Sequence, residues 1–528
     1  MTMKRRDVMT AGAAAAATAG LARPSLAQGA RVLRFVPQAN LANPDPIWTT
    51  ATVAYIHGYM IWDTLFGLDE KLTPQPQMAA GYEESADGLT FTITLRDGVK
   101  FTDGEPVRAA DAVQSIKRWA QRNPMGGTLM SRTNELVALD DKRLQFRMKK
   151  RFPITAYVLG GEGCFIMPER IAKTDGFTMV TEYVGSGPYK FLRDEWVSGA
   201  SAAYARNDGY VPRQEAPSMW AGGKVANFDR VEWKIMPDAA TASAALQRGE
   251  IDWWENPLAD LIPSLRKDKA IKTEVLDPLG ALGVVRFNHL HVPFNNVKLR
   301  QALLHGIDQQ EILDACYGDL AGELGKTGAG YFTMGSPYAN DVGIEVLTKK
   351  RDMALTRKLV AESGYKGEEV LLMSPTDQPI LFATCQVVAD FLKKAGLNVR
   401  YEVMDWGTLV ARRAKKEPAS AGGWSIFCTT WAGLSTANPG SSQILRGTGE
   451  QSWFGWPTMP KMEELRDAWF DAPSLDAQKA ITRDMQKLAF EEVPVLPTGM
   501  FFTPTAYRAN LTGIVRSGVA LMWGIKRV

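Results

Sequence analysis

The sequence predicts an α/β protein with more than one lobe. The chain has 528 residues, which is too long for one ordinary domain and long enough for large cores. Apolar residues alternate with polar ones in segments such as 89–95 and 144–148, a pattern typical of half-buried strands. Strand patterns at 369–373 and 398–404 flank a helical pattern at 380–395. This order of strand, helix and strand predicts a parallel unit.

The individual elements follow from their local patterns, taken in chain order. In 89–95 the apolar residues fall on one face and the threonines on the other. The same alternation returns at 231–235, and a helical pattern at 239–247 then runs into the apolar segment 251–253. The helix 380–395 ends at Gly396, a residue that commonly terminates helices. No repeat of fixed period is visible, so a repeat architecture is not predicted.

The first 27 residues predict an export signal. Lys4, Arg5 and Arg6 form a basic start, an apolar run rich in Ala and Gly follows, and small residues precede a cleavage point before Gln28. The apolar run is too short to span a bilayer. Arg5 and Arg6 directly before Asp7 resemble a twin-arginine signal, which exports proteins already folded.

Composition and charge argue against nucleic-acid and membrane binding. Hydrophobic residues make up 45% and charged residues 23% of the chain, as in ordinary globular proteins. Removal of 1–27 takes away four cationic and one anionic side chain, so the formal net charge of +3 falls to zero. A balanced chain has no electrostatic reason to bind nucleic acid or anionic lipid. No later segment is long and apolar enough to cross a membrane, so we expect the mature chain to be soluble.

The sulfur and imidazole groups do not predict a metal site. The four cysteines, Cys164, Cys316, Cys385 and Cys428, form no C-x-x-C pair, which argues against zinc and thioredoxin-like chemistry. Disulfides and buried free thiols both remain open. His289 and His291 would share one face of a strand, but no Cys or carboxylate lies near them at ligand spacing. We therefore predict neither metal nor cofactor.

A strand and its turns span 88–107, with tight-turn dipeptides at Asp97-Gly98 and Asp103-Gly104, and a helix follows. This segment resembles the signature of the family 5 extracellular solute-binding proteins, the peptide- and nickel-type binding proteins of ABC importers. The matching segments, which follow the family order, are 88–118, 185–189, 206–210, 241–252, 287–288 and 293–302. The resemblance covers nearly the whole mature chain.

The resemblance implies a two-lobed periplasmic-binding-protein fold of class II and of the large type, with a hinge, a central cleft and an extra subdomain. Lobe one would comprise 28–283 plus 490–528, with 69–184 as its extra subdomain. Lobe two would comprise 284–489. Closure of the two lobes around a ligand is the hinge motion of such proteins.

The resemblance also implies the function. The chain would be a periplasmic, monomeric binding subunit that captures a peptide or peptide-like solute and delivers it to an ABC permease and its ATPase. It would contact the membrane only through the permease and would not be an enzyme. An opine, a sugar or a metal chelate is the alternative solute. A remote alternative is an exported serine hydrolase, because Ser264 and Lys267 resemble one box of penicillin-binding enzymes, although the middle box is missing.

A tryptophan-rich part of lobe two supplies the first candidate ligand-binding residues. Trp431 ends the strand pattern 424–430 and precedes a polar loop that contains Asn438. Strand ends that face a cleft are where α/β proteins bind ligands, and the family position of Trp431 implies a ligand contact. Trp424 and Trp406 lie close by in sequence. Core packing is the alternative for each tryptophan.

Three further candidates lie outside this part of the chain. Asn40 and Asn288 flank places where relatives contact ligand, although Asn40 could equally cap the turn-rich run that follows it. Tyr55 lies with His57 on an early helix that faces either the core or the cleft.

Leu434 marks a departure from the family pattern. Relatives that bind free peptides carry an Asp at this position, where it pairs with the N-terminal ammonium of the peptide. A buried ammonium needs a carboxylate partner. We therefore expect a ligand that lacks a free amine at this point or presents it elsewhere. Asp405 could substitute for the missing Asp, or it could be an ordinary solvated surface residue.

Overall fold

The computed structural model describes residues 31–49 and 51–528. The predicted export signal, with its twin-arginine pair and its cleavage point, lies outside the described residues.

The strands fall into two large sheets, one smaller sheet and two short pairs. In chain order they are β1 (Val32–Val36), β2 (Phe66–Leu68), β3 (Pro74–Pro76), β4 (Ala79–Glu84), β5 (Thr90–Leu95), β6 (Thr133–Ala138), β7 (Arg143–Met148), β8 (Tyr189–Phe191), β9 (Ser201–Arg206), β10 (Arg230–Lys234), β11 (Trp253–Trp254), β12 (Ile271–Val275), β13 (Ala281–Phe287), β14 (Gly325–Lys326), β15 (Glu369–Pro375), β16 (Asn398–Met404), β17 (Ile426–Ala432), β18 (Val495–Phe501), β19 (Pro504–Arg508), β20 (Leu511–Thr512) and β21 (Lys526–Arg527).

The helices lie mostly between the strands and on the faces of the sheets. In chain order they are α1 (Thr52–Ile61), α2 (Ala109–Ala120), α3 (Pro124–Arg132), α4 (Thr155–Leu159), α5 (Glu169–Ala172), α6 (Ala239–Arg248), α7 (Ile262–Leu265), α8 (Val297–Leu304), α9 (Gln309–Tyr317), α10 (Ala321–Leu324), α11 (Glu345–Thr348), α12 (Met353–Glu362), α13 (Pro379–Lys394), α14 (Trp406–Arg412), α15 (Pro460–Asp471) and α16 (Leu475–Glu492).

The first large sheet has seven strands in the order β12, β19, β11, β1, β10, β9, β8. Its strand β1 lies between β11 and β10 and runs parallel to both. Strand β19, from the end of the chain, inserts between β11 and β12 and runs antiparallel to both. The C-terminal part of the chain therefore completes the first sheet.

The second large sheet has six strands in the order β14, β18, β13, β17, β15, β16. Strands β15 and β16 pair in parallel across the helix α13, which confirms the predicted unit of strand, helix and strand. The apolar face of α13 packs on the sheet through buried residues such as Val388 and Leu392. Together the two sheets confirm the predicted α/β fold with two lobes.

The chain crosses between the large sheets twice. It leaves β12 at Val275 and enters β13 at Ala281, and it returns from β18 at Phe501 to β19 at Pro504. We call 276–280 and 502–503 the crossing segments. They run side by side, because Val275 pairs with Pro504 and Ala281 pairs with Phe501.

Strand pairing corrects the expected lobe boundaries. Strand β18 lies in the second sheet, between β14 and β13, although residues from 490 onwards were assigned to lobe one. Strand β13 likewise begins before 284. All seven residues of β18 are buried, so the strand gains hydrogen bonds on both edges and apolar burial by joining the second sheet. By sheet membership, the first lobe therefore ends and lobe two begins at 276–280, and the chain returns to the first lobe at 502–503.

A four-stranded antiparallel sheet lies within 69–184, the expected extra subdomain. Its order is β4, β5, β7, β6. Phe91, Ile93 and Leu95 of β5 are buried, as the alternation predicted, and α2 packs near this sheet with Ile116 fully buried. Among the described residues, no helix is long and apolar enough to cross a membrane.

The four cysteines are free thiols, and Cys164, Cys385 and Cys428 are buried. Cys164 belongs to the core that includes the extra subdomain, whereas Cys385 and Cys428 belong to the core of lobe two. Burial raises the pKa of Cys164. The hydrogen bond with Cys385, and then burial, raise the pKa of Cys428. The structure therefore favours buried free thiols, one of the two possibilities that the sequence left open.

Candidate ligand-binding cleft

A cavity of about 430 Å³ lies between the two lobes. We call it the main chamber. Its lining comes from the first lobe, from the extra subdomain and from the end of β17 with the loop that follows. Among the residues that line it are Ile47, Thr52, Tyr55, Trp119, Arg122, Tyr157, Glu162, Thr430, Trp431, Ala432, Leu434, Ser435, Asn438 and Gln443.

Trp431 lies at the end of β17 and is half-buried. Its indole meets that of Trp453 edge to face, with ring centroids 4.9 Å apart. The Nε1 atom of Trp431 is buried and has no hydrogen-bond partner among the described residues. The part of the indole that lines the main chamber gives it an aromatic surface on which a ligand can stack.

Glu162 brings a carboxyl group into the main chamber. Its backbone carbonyl accepts hydrogen bonds from Trp119 Nε1 at 3.1 Å and from Asn123 Nδ2 at 3.5 Å, which fix the loop after α4. Within the described part of the chain its carboxylate has neither a hydrogen-bond partner nor an ion-pair partner. Burial raises the pKa of Glu162 to about 7. The carboxyl group of Glu162 can therefore accept a hydrogen bond from a ligand or pair with a ligand cation.

Tyr55 and Arg122 complete the charged side of the main chamber. Burial raises the pKa of Tyr55, the charge of Glu162 raises it further, and the charge of Arg122 lowers it. Arg122 is exposed; it donates to the carbonyl of Trp48 at 3.1 Å, and its guanidinium lies 4.5 Å from the ring centre of Phe177. These contacts direct Arg122 to partners other than Glu162.

Direct contacts join the extra subdomain to lobe two beside the main chamber. Asn438 Nδ2 donates to the hydroxyl of Tyr157 at 3.1 Å. At Gly440 a Cβ atom would lie 2.3 Å from the sulfur of Met125, so the two surfaces meet closely.

A second group of contacts lies further along the same face. Arg132 forms an ion pair with Asp471 of α15, and Lys150 binds the other oxygen of the same carboxylate. The rings of Phe152 and Phe470 lie 5.6 Å apart. We call the contacts of Tyr157, Met125, Arg132, Lys150 and Phe152 with lobe two the closing contacts.

A second cavity, of about 270 Å³, adjoins the main chamber where the crossing segments run. We call it the second chamber. It shares Thr52, Thr430 and Ala432 with the main chamber. Its other lining residues include Gln38, Trp253, Glu255, Asn256, Asp277, Phe501, Thr503, Thr505 and Ser517. The two chambers therefore form one continuous cleft between the lobes.

Three of the residues that the sequence proposed as ligand contacts line the main chamber. They are Trp431, Tyr55 and Asn438, and Leu434 lines it as well. The helix α1 that carries Tyr55 directs His57 into the core instead, where its Nδ1 lies 2.9 Å from the hydroxyl of Tyr204. The ligand contacts of these residues remain predictions.

The other four candidates lie away from both chambers. Trp424 is 1% exposed and donates from Nε1 to the carbonyl of Arg413. Asn288, also 1% exposed, donates to the carbonyl of Trp424. We therefore assign both residues to the core. Trp406 begins α14 and packs near Arg413, and Asn40 binds Ser198 Oγ and the backbone of Gly199, which is a turn-fixing role.

The alternative sites raised by the sequence also have structural roles. Asp405 caps α14 through the backbone amide of Thr408, so it cannot replace the Asp missing at 434. His289 and His291 each bind a different backbone carbonyl. No group of three or more potential metal ligands occurs in the described ranges. Ser264 is exposed on the short helix α7 and lines neither chamber.

The carboxyl groups of the cleft were not found from the sequence. Glu255 directly follows β11, which is parallel to β1, so the rule that ligands bind at strand ends would have singled it out. Asp277 lies in a crossing segment, which becomes recognisable only from the strand pairing. Glu162 lies among three glycines, 160, 161 and 163, and this composition alone favours a turn as much as a site.

Residues 73–453 match the family described as bacterial extracellular solute-binding proteins, family 5 middle. A probable peptide ABC transporter periplasmic-binding protein, y4tO of Sinorhizobium fredii (strain NBRC 101917 / NGR234), is 40% identical over 535 residues, covering 100% of both chains.

Two solved structures share the fold. The periplasmic binding protein AgaA from A.tumefacien R10, in complex with agropinic acid, superposes with a TM-score of 0.78 at 19% identity, covering 94% of this chain and 99% of that one. A dipeptide-binding protein from pseudoalteromonas sp. SM9913, in complex with Met-Leu, gives a TM-score of 0.77 at 20% identity, covering 94% and 100%. By the family match and the full-length relative, this chain belongs to the family 5 bacterial extracellular solute-binding proteins.

Proposed function

We propose that this chain is the solute-capturing subunit of an ABC importer, and that it takes a peptide or a peptide-like solute. It works as a monomer in the periplasm, where it binds solute and delivers it to a membrane permease with its ATPase. The observation that carries this proposal is the main chamber between the lobes of a family 5 protein. The peptide relative at 40% identity supports the solute class.

The main chamber suits a small solute. Its volume of about 430 Å³ lies within the range of about 300–1,000 Å³ that is usual for small-molecule pockets. Its walls combine aromatic surface, from Trp431 and Trp119, with hydroxyl and amide groups from Tyr55, Tyr157 and Asn438. In this proposal Trp431 stacks on the solute, and the polar groups fix its orientation.

The mechanism is closure about the crossing segments. A ligand that touches both walls of the cleft favours the closed arrangement and so shifts the population towards it. The closing contacts add protein–protein interactions that exist only when the lobes meet. The permease then distinguishes the closed, loaded form from the open one.

Leu434 sets a condition on the solute. The side chain lines the main chamber and supplies no charge, so an ammonium placed against it would be desolvated without a partner, at a cost of several kcal/mol. The proposed solute therefore has a blocked amine at this point or directs its amine to a carboxylate elsewhere in the cleft.

Calorimetry with matched peptides tests the proposal. The purified mature chain is titrated with short peptides in free and N-acetylated forms, and with an opine as the alternative solute. We expect micromolar or tighter binding of at least one peptide series. Binding of the opine with no binding of any peptide would overturn the peptide assignment and favour the alternative.

A further inference from the structure

The second chamber has an acidic lining without a matching cation. Glu255 and Asp277 both line it, and no Lys, Arg or His is among the described residues of its wall. The main chamber adds Glu162 and Arg122. The continuous cleft therefore contains three carboxyl groups and one guanidinium, and the excess of negative charge lies in the second chamber.

Glu255 is the more deeply placed of the two carboxyl groups, with 8% of the residue exposed. Its oxygens accept hydrogen bonds from the backbone amide of Gln38 at 2.7 Å and from Gln38 Nε2 at 3.3 Å. Both donors are neutral. Burial, opposed by these two hydrogen bonds, raises the pKa of Glu255 to about 7.

Other buried carboxylates of this protein have a charged partner or a capping role. Asp45 pairs with Arg118 at 2.7 Å, Asp63 with Lys224 at 2.7 Å, and Asp252 with Arg527 at 2.6 Å. Asp111 accepts from the backbone amides of Arg108 and Glu169 beside the start of α2.

Glu255 differs from all four, since within the described ranges it neither pairs with a cation nor caps a helix. Burial of an unpaired carboxylate is costly. A purely structural role does not account for that cost, because the other buried carboxylates each have a cation partner or a helix-capping role.

Asp277 reaches the second chamber from the crossing segment 276–280. It is half-buried, and its Oδ1 accepts from the backbone amide of Leu279 at 2.9 Å. No ion pair with a described residue involves it. Burial raises the pKa of Asp277 to about 6, against the two backbone hydrogen bonds that lower it.

We propose that the second chamber is a ligand subsite for a cationic group, an ammonium or a guanidinium, which Glu255 and Asp277 hold. The proposal rests on the proposed function and names a chemical feature of its solute, a basic group. The chamber has room for such a group, because its volume of about 270 Å³ is several times larger than the roughly 30 Å³ that one water molecule occupies in the liquid.

The position of the subsite allows one solute to occupy both chambers. Thr52, Thr430 and Ala432 line both, and Ala432 follows Trp431 directly on β17. A solute whose body stacks on Trp431 can therefore direct its basic end past these small side chains. Such a solute also satisfies the condition set by Leu434, because its charge lies away from that residue.

Peptides that differ only in charge test the subsite. The dipeptides Ala-Arg and Ala-citrulline, both used in N-acetylated form, have nearly the same shape, but only the first carries a cationic group. At pH 8, calorimetry should show that the mature chain binds Ala-Arg at least tenfold more tightly than Ala-citrulline. Equal binding of the two, or tighter binding of the citrulline peptide, would overturn the subsite while leaving the proposed function standing.

Variants assign the preference to the named carboxyl groups. Glu255→Gln and Asp277→Asn should each bring the ratio of the two affinities towards one. Asp260→Asn changes an exposed acid near Glu255 that makes no ion pair and lines neither chamber, and it should keep the full ratio. A preference that survives in both cleft variants would contradict the proposal.

A second measurement separates failure of the subsite from failure of the proposed function. If neither dipeptide binds, the subsite is judged on butylguanidinium against butylurea at millimolar concentration, and the proposed function is judged on the peptide and opine series above. We expect butylguanidinium alone to raise the melting temperature of the parent chain, and the rise to vanish in Glu255→Gln. Equal shifts from both compounds, or no shift from either, would overturn the subsite.

Discussion

Replacement of Glu255 by Gln should stabilise the protein at alkaline pH and leave its stability nearly unchanged at acid pH. The pKa of Glu255 rises from 4.5 to about 7 on folding, mainly because of burial. The folded state therefore holds the proton more tightly than the unfolded state. Between these two values folding takes up a proton, so the free energy of unfolding falls as the pH rises, and the loss is complete above pH 7.

The size of the effect follows from the same pKa values. One pKa unit corresponds to about 1.4 kcal/mol, so a rise from 4.5 to about 7 costs the parent chain about 3 kcal/mol at pH 8. A Gln side chain cannot ionise and escapes this cost. Like the protonated acid, Gln keeps one oxygen as an acceptor for Gln38, so the variant resembles the protonated parent. We expect a gain of about 3 kcal/mol at pH 8.

Urea unfolding at a series of pH values between 4.5 and 8 measures this difference. Glu162 and Asp277, the other cleft carboxyl groups with raised pKa values, also make the free energy of unfolding depend on pH. Their contribution is the same in parent and variant, so the difference in free energy of unfolding between the two proteins isolates Glu255. It should grow in favour of the variant as the pH rises from 5 to 7.5. A difference that stays constant with pH would refute the reasoning, and Asp260→Asn should show none.

Three further perturbations test other parts of the molecule. Trp431→Ala should lose most of the ligand affinity while its melting temperature stays near that of the parent; a large loss of stability with unchanged affinity would assign Trp431 to the core. Arg132→Ala removes the ion pair with Asp471 and should weaken ligand binding several-fold and raise the radius of gyration seen by X-ray scattering; an unchanged affinity would mean that this contact does not aid closure. Replacement of both Arg5 and Arg6 by Lys should keep the precursor in the cytoplasm, and normal export would contradict the twin-arginine prediction.

Local patterns in the sequence were enough to predict much of the fold. The alternation in 89–95 predicts which face of β5 is buried. The helical pattern between β15 and β16 predicts a parallel crossover. Both features depend only on residues that are close in the chain, so the local sequence is enough to predict them. The membership of β18 in the second sheet depends on pairing with β13, about 200 residues earlier. No local pattern carries that pairing, so the expected boundary at 490 was displaced.

The candidate site could be predicted only where its residues carry a local signal. Trp431 lies at a strand end next to a polar loop, and that position is visible in the sequence. Trp424 is also a tryptophan, but it packs against Trp456 and Phe427 in the core. The residue type alone therefore could not show which tryptophan lies in the core and which in the cleft. The same limit applies to Glu255, whose burial depends on segments that are distant in the chain.

The buried thiols make the two halves of the molecule separately observable. Cys164 is buried within the extra subdomain, while Cys385 and Cys428 lie in the core of lobe two. A thiol reagent modifies such side chains only when the surrounding core opens, because the buried sulfur atoms are inaccessible to the reagent. The rate of alkylation at Cys164 therefore reports opening on one side of the crossing segments, and the rate at Cys385 and Cys428 reports opening on the other. One labelling experiment read out by peptide mass can show which half gains protection when a solute binds.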